Sequence, residues 1–134
     1  MSDGSSYTFG TVVASGMDST REQVTAALRE QGFGILTEID VQATLREKLG
    51  VEGDPYLILG ACNPQLAHRA LEAEPSIGAL LPCNVVLRAE AGGTRVEIMD
   101  PVAALQVASG AGVAAVAAEA RERLQRVAAS LEAG

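Results

Sequence analysis

Two runs of alternating residues flank a pair of glycines late in the chain, and they restrict the fold more than any other feature. The runs are Cys83–Glu90 and Thr94–Met99, with Gly92-Gly93 nearby. A two-residue turn at the glycines suits a hairpin, because glycine takes positive φ at both central positions. That turn predicts Glu90 opposite Arg95 and Arg88 opposite Glu97. It also sets Val96 against Ala89 and Ile98 against Leu87. Opposite charges then share one face and apolar pairs the other, each pair contributing about 0.2–1 kcal/mol. A slip by one residue would move every side chain to the wrong face.

A hairpin alone is marginal in water, so the other segments must cover it. Tyr7 to Ala14 reads as a strand, broken by Ser15-Gly16. Ser19-Thr20-Arg21-Glu22 matches a capping box, which predicts a helix start at Ser19. Val24, Ala27, Leu28 and Gln31 follow at helical spacing, and Gly32 ends the helix. Phe33 to Ile39 is a second predicted strand. Asp40 caps a short helix carrying Val41, Leu45 and Leu49, which Gly50 stops. The apolar run within Pro55 to Ala61 predicts a central strand buried on both faces.

Asn63-Pro64 and Asp100-Pro101 are two more helix starts. The Asn or Asp side chain accepts an amide, and proline occupies a position whose amide has no partner in any case. Leu66, Ala67, Ala70 and Leu71 form the stripe of the first helix, which Pro75 closes. The second is a short helix to about Ala108. The last helix spans about Val113 to Leu131, with Val113, Ala117, Ala120, Leu124, Val127 and Leu131 on one seam. Packing of that seam on the chain's own sheet is favoured over a helix–helix dimer seam. Residues 1–6 are expected to form a disordered tail, and 7–134 a single domain.

Hydrophobic residues make up 48% of the chain but aromatics only 3%, so the core must be aliphatic. The formal net charge is −7. Phosphate backbones and anionic membrane surfaces both select clustered Lys and Arg. None occurs here, so neither nucleic acid nor membrane is an expected partner. No secretory leader or spanning segment is visible. The expected setting is the cytoplasm, where two cysteines stay reduced.

Those cysteines carry the one hint of chemistry. They lie in Gly60-Ala61-Cys62-Asn63-Pro64 and Leu80-Leu81-Pro82-Cys83-Asn84, and each is followed by asparagine. Cys62 ends a predicted strand just before a helix cap, where the dipole and free amides would favour its thiolate. Cys83 begins the next strand. Antiparallel pairing would bring both to one edge of the sheet. Cys62, Asn63, Cys83 and Asn84 are the candidate ligand-binding residues. In an alternative reading, Cys62 and Cys83 hold a metal, or carry persulfide or redox chemistry. Free cysteine is also a common core residue, so packing competes with both.

These segments, with Gln31-Gly32-Phe33-Gly34-Ile35-Leu36-Thr37-Glu38-Ile39-Asp40, Val85-Val86 and Ile98 to Pro101, are similar to those of domain of unknown function family 302. The resemblance implies a two-layer α+β domain related in shape to the TATA-binding-protein fold. It would have a curved, mostly antiparallel sheet of about four to five strands, with helices on one side. It implies a homodimer and supplies no catalytic residues. Shape kinship carries no licence to infer DNA binding.

Other motifs carry less. His68 is the only histidine, sits off the helix stripe and reads as a solvated flank. Ser109-Gly110-Ala111-Gly112-Val113-Ala114-Ala115 contains G-x-G-x-x-A but lacks the strand that a dinucleotide fold places before it. Glu38 and Asp40 are a carboxylate pair, with Asp40 better explained as a cap. No catalytic set emerges and no cofactor is implied. Three readings follow: a dimeric module binding a small molecule or protein partner, a thiol-dependent protein, and a conventional hydrolase or transferase.

Overall fold

The computed structural model describes residues 5–108 and 110–133. The first four residues of the expected tail, and Ser109 of the glycine segment, lie outside them. Five strands form one antiparallel sheet: β1 (Thr8–Val13), β2 (Gly34–Asp40), β3 (Tyr56–Cys62), β4 (Cys83–Glu90) and β5 (Gly93–Met99). Their order is β1-β5-β4-β3-β2. The helices are α1 (Met17–Glu30), α2 (Val41–Leu49), α3 (Pro64–Ala73), α4 (Pro101–Ala104) and α5 (Ala111–Ala133), with short 3-10 turns at Pro75–Leu80 and Leu105–Val107. The α+β expectation holds.

One face of the sheet carries the core. Across it run the partners Val85 and Ile98, Leu87 and Val96, and Leu59 and Val85, all fully buried. Helix α5 packs against β1, α1, α3 and α4. Every seam position predicted for it is buried, with Val116 and Ala128 in addition. The seam therefore serves the chain's own core. Arg88, Glu90, Arg95 and Glu97 occupy the other face of the hairpin.

The hairpin register differs from expectation. The turn closes one residue earlier, at Ala91-Gly92, and Arg88 stands opposite Arg95. Moving the turn by one residue displaces each cross-strand partner by two, so no side chain changes face. The ion pairs survive as diagonals: Arg88 Nη2 to Glu97 Oε1 at 3.0 Å and Arg95 Nε to Glu90 Oε2 at 2.9 Å. Gly93 explains the shift. A β-carbon on it would collide with the Val13 carbonyl at the end of β1, so Gly93 is needed inside β5. Gly92, at φ +90°, then serves the turn alone.

Two further expectations are corrected. Helix α1 begins at Met17, capped by Gly16 without a side-chain bond, so the Ser19 capping box does not form. The Ser15 and Thr20 hydroxyls, 2.7 Å apart, tie down the entry instead, with Thr20 fully buried. Strand β3 is interior but buried on one face only. Tyr56 and Ile58 are half-exposed on the other side, where Tyr56 lies beside Val41 and Leu45 of α2. On α2, Leu45 and Leu49 are exposed.

Leu124 sits at the centre of the α5 seam with no exposure. Leu124→Ala should cost about 2–5 kcal/mol, the range for a leucine removed from a closed core. Urea denaturation checks it. A loss below about 1 kcal/mol would mean that α5 is not part of the core.

Candidate functional site

Strand β3 runs into α3 through Cys62 and Asn63. The Asn63 side chain accepts the Leu66 amide at 3.2 Å, as the cap pattern predicts. Its Nδ2 donates to the Gln31 carbonyl at 3.5 Å. Arg123 Nη1 from α5 donates to the same carbonyl at 3.2 Å. Gly32 follows at φ +85°, and a β-carbon there would press on the Asn63 amide. The end of α1, the start of α3 and the middle of α5 are thus held together around one buried asparagine.

Beside this junction lies a cavity of about 330 Å³. Its walls come from β2, β3, α3, β4, α4, α5 and both 3-10 turns. They include Leu36, Leu66, Leu71, Leu81, Leu105 and Val116, with Ala67, Ala70, Ala117 and Ala120 between them. No charged residue lines it. Cys62, Asn63 and Cys83 do, so the structure brings three of the four candidate residues together. Asn84 is the exception. It is exposed, one position on from Cys83 along β4, and strand alternation turns it to the other face of the sheet.

Strands β3 and β4 are antiparallel neighbours, with Ala61 opposite Cys83. Both cysteines are therefore at one end of the sheet, as that topology requires. Both are free thiols, Cys62 partly exposed and Cys83 buried. Burial pushes the Cys62 thiol up from its ordinary value. Burial, with the charge of Cys62 beside it, pushes Cys83 from 9.0 to about 11. Desolvation outweighs the helix-end effect expected from the sequence, so neither group is a ready thiolate at neutral pH.

The family comparison agrees with this architecture. The family model described as "Domain of unknown function DUF302" matches residues 9–131. The chain belongs to that family. It is also similar to the crystal structure of an uncharacterized conserved DUF302 protein from Bacillus stearothermophilus. The two share 30% identity, over 94% of this chain and 98% of that one, with a TM-score of 0.86. No curated protein matches the chain.

Other candidates dissolve on inspection of their surroundings. His68 is exposed and lies 3.4 Å from Glu72 one turn on. Glu38 makes a two-pronged contact with Arg21 at 2.6 and 2.7 Å, and Asp40 caps α2 through the Ala43 amide. That pair is structural. A 3-10 turn precedes Gly110, so the G-x-G-x-x-A segment has no strand before it. Among the described residues no cluster of three His, Cys, Asp or Glu is placed to hold a metal, and no helix is long and apolar enough to cross a membrane. The sequence does not reveal the aliphatic lining, because its residues come from eight elements and share no spacing.

The raised Cys83 pKa predicts a stability change at high pH. Unfolded Cys83 titrates near 9.0 and folded Cys83 near 11. The folded state favours the protonated thiol, so its contribution is complete below pH 9 and is lost between pH 9 and 11. The loss is on the order of 2 kcal/mol. Cys83→Ala should flatten the stability profile over that window relative to wild type, with the two profiles parallel at pH 6–8.

Proposed function

We propose that the protein is a homodimeric binding module that takes a small, uncharged, aliphatic molecule into the cavity beside Cys62, Asn63 and Cys83. The carrying observation is that cavity: about 330 Å³, walled mainly by leucine, valine and alanine with Phe33, Pro82 and Pro101, and with no charged side chain. Ligand pockets of this kind are concave and mostly apolar, with a few polar groups for orientation, and run from about 300 to 1,000 Å³. This one is at the small end, which favours a compact ligand. A charged ligand would lose its hydration and find no counter-charge on the walls. The two thiols are the polar groups that could orient an ether, ester or hydroxyl, with Asn63 bonded at both ends within the chain. The raised thiol pKa values favour binding over nucleophilic catalysis.

The dimeric part of the reading is supported by the β2 edge. Leu36 and Ile39 of β2, Leu45 and Leu49 of α2, and Val51 are large apolar residues left exposed. An apolar sheet edge in water invites pairing or cover. A cytoplasmic setting is supported by two cysteines that remain free thiols.

Binding is tested with Nile red, an uncharged polarity-sensitive dye, displaced by uncharged medium-chain alcohols. One dye per chain is expected. Ala67→Phe, at the half-buried rim of α3, should abolish binding while the far-UV circular dichroism stays unchanged. Absence of dye uptake, or uptake that Ala67→Phe leaves intact, would overturn the reading. For the dimer, sedimentation equilibrium should give the mass of two chains, and Ile39→Lys should reduce it to one. A single-chain mass for the wild type would remove the dimer.

A further inference from the structure

We infer that Cys62 and Cys83 form a two-coordinate site for a monovalent thiophilic cation, Cu(I) in the first instance. Three observations converge on it, none of which depends on the aliphatic-ligand reading. The first is strand pairing. Ala61 faces Cys83 across β3 and β4, and Cys62 is the next residue along. An opposed pair separated by about 5 Å and one step of about 3.3 Å put the two Cα atoms roughly 6 Å apart. That is within the range over which two cysteine sulfurs can approach one another. Strict alternation would turn the side chains to opposite faces. Cys62, however, is the last residue of β3, next to the Asn63 cap, and both cysteines line one cavity.

The second observation is the donor set. Among the described residues no third His, Cys, Asp or Glu joins the pair. Zinc requires four ligands in a structural site and three in a catalytic one. Two thiolates alone suit an ion that is content with two soft donors, and thiolate softness selects Cu(I). The third is access with shelter. Cys62 is partly exposed and Cys83 buried, so an ion can enter at Cys62 and finish inside. The amino end of α3 follows two residues after Cys62, and its dipole favours the anionic bis-thiolate complex.

Loading balances without any redox partner. Two S–H bonds break, two S–Cu bonds form, and two protons pass to solvent, with copper remaining Cu(I). Affinity therefore rises with pH.

The test is an anaerobic titration of the whole chain against Cu(I) held by a coloured Cu(I) chelator. Wild type should withdraw one equivalent per chain, more tightly at pH 8 than at pH 6, and should take up no Zn(II). Cys62→Ser and Cys83→Ala should each weaken Cu(I) binding by more than the roughly 10–100-fold that loss of an outer-shell partner costs. Folding of both variants is followed by circular dichroism. Should Cys83→Ala unfold, the half-exposed Cys62→Ser alone decides the matter. A wild type that takes no Cu(I) would overturn the inference. So would a folded Cys62→Ser that holds Cu(I) as tightly as wild type.

Discussion

The structure depends on putting most of its apolar weight on one face of one sheet. Ile98, Val85 and Leu59 run across the strands as one row, and Val96 and Leu87 as the next. With aromatics at 3%, only Phe9, opposite Ile98, and Phe33 bring rings into this core among the described residues. Helices must come close, and α5 does so by placing Ala117, Ala120 and Ala128 among Leu124, Val127 and Leu131. Each large side chain buried there contributes about 1.5–3 kcal/mol. The opposite face has no such layer. It is held by an ion-pair lattice of Arg88, Glu90, Arg95 and Glu97 and by half-exposed Tyr56 and Ile58. These part-buried pairs hold the hairpin locally, while the buried aliphatic layer of the other face carries the fold.

Elements with a strong local signal were legible from the residues alone. Asn63-Pro64 and Asp100-Pro101 cap their helices through the bonds that their side chains predict. The α5 seam is buried at every predicted position. Local signals failed where a distant segment decided the outcome. The glycine doublet looked like a turn, yet β1 claims Gly93 for close backbone approach. The capping box at Ser19 lost to the contact between Ser15 and Thr20 one turn earlier. An apolar run such as Tyr56-Leu57-Ile58-Leu59 does not reveal whether its second face is covered. Here it is half-exposed, because the helices that build the core take the other side.

The candidate site was half legible for the same reason. The two cysteines could be placed at one sheet end from strand direction alone. The cavity could not, because Leu36, Leu71, Leu105 and Val116 belong to segments far apart in the chain. Nor could the protonation state of the thiols. A cysteine just before a helix reads as an activated thiolate, but the dipole of a ten-residue helix acts over about one turn and is modest. Removing a sulfur from water opposes ionisation at the same position, and at both cysteines burial wins.

That balance bears on what kind of chemistry the site permits. A thiol held above the ordinary cysteine range attacks slowly at neutral pH, because the thiolate is the nucleophile. The same thiol is not barred from ligation, since a bound cation replaces the proton and removes the cost of a bare buried charge. Nor is it barred from apolar contact, where a protonated cysteine behaves as a small hydrophobe. An aliphatic cavity with two protonated thiols at one end is therefore suited to binding, whether of an uncharged molecule or of a soft ion. It is poorly suited to covalent turnover, which would need the thiolate that burial suppresses. The buried Asn63, with its oxygen on the Leu66 amide and its nitrogen on the Gln31 carbonyl, is already committed to joining α1 to α3. Its place in the cavity wall is that of a support between helices, which leaves the sulfurs as the groups free to meet a ligand.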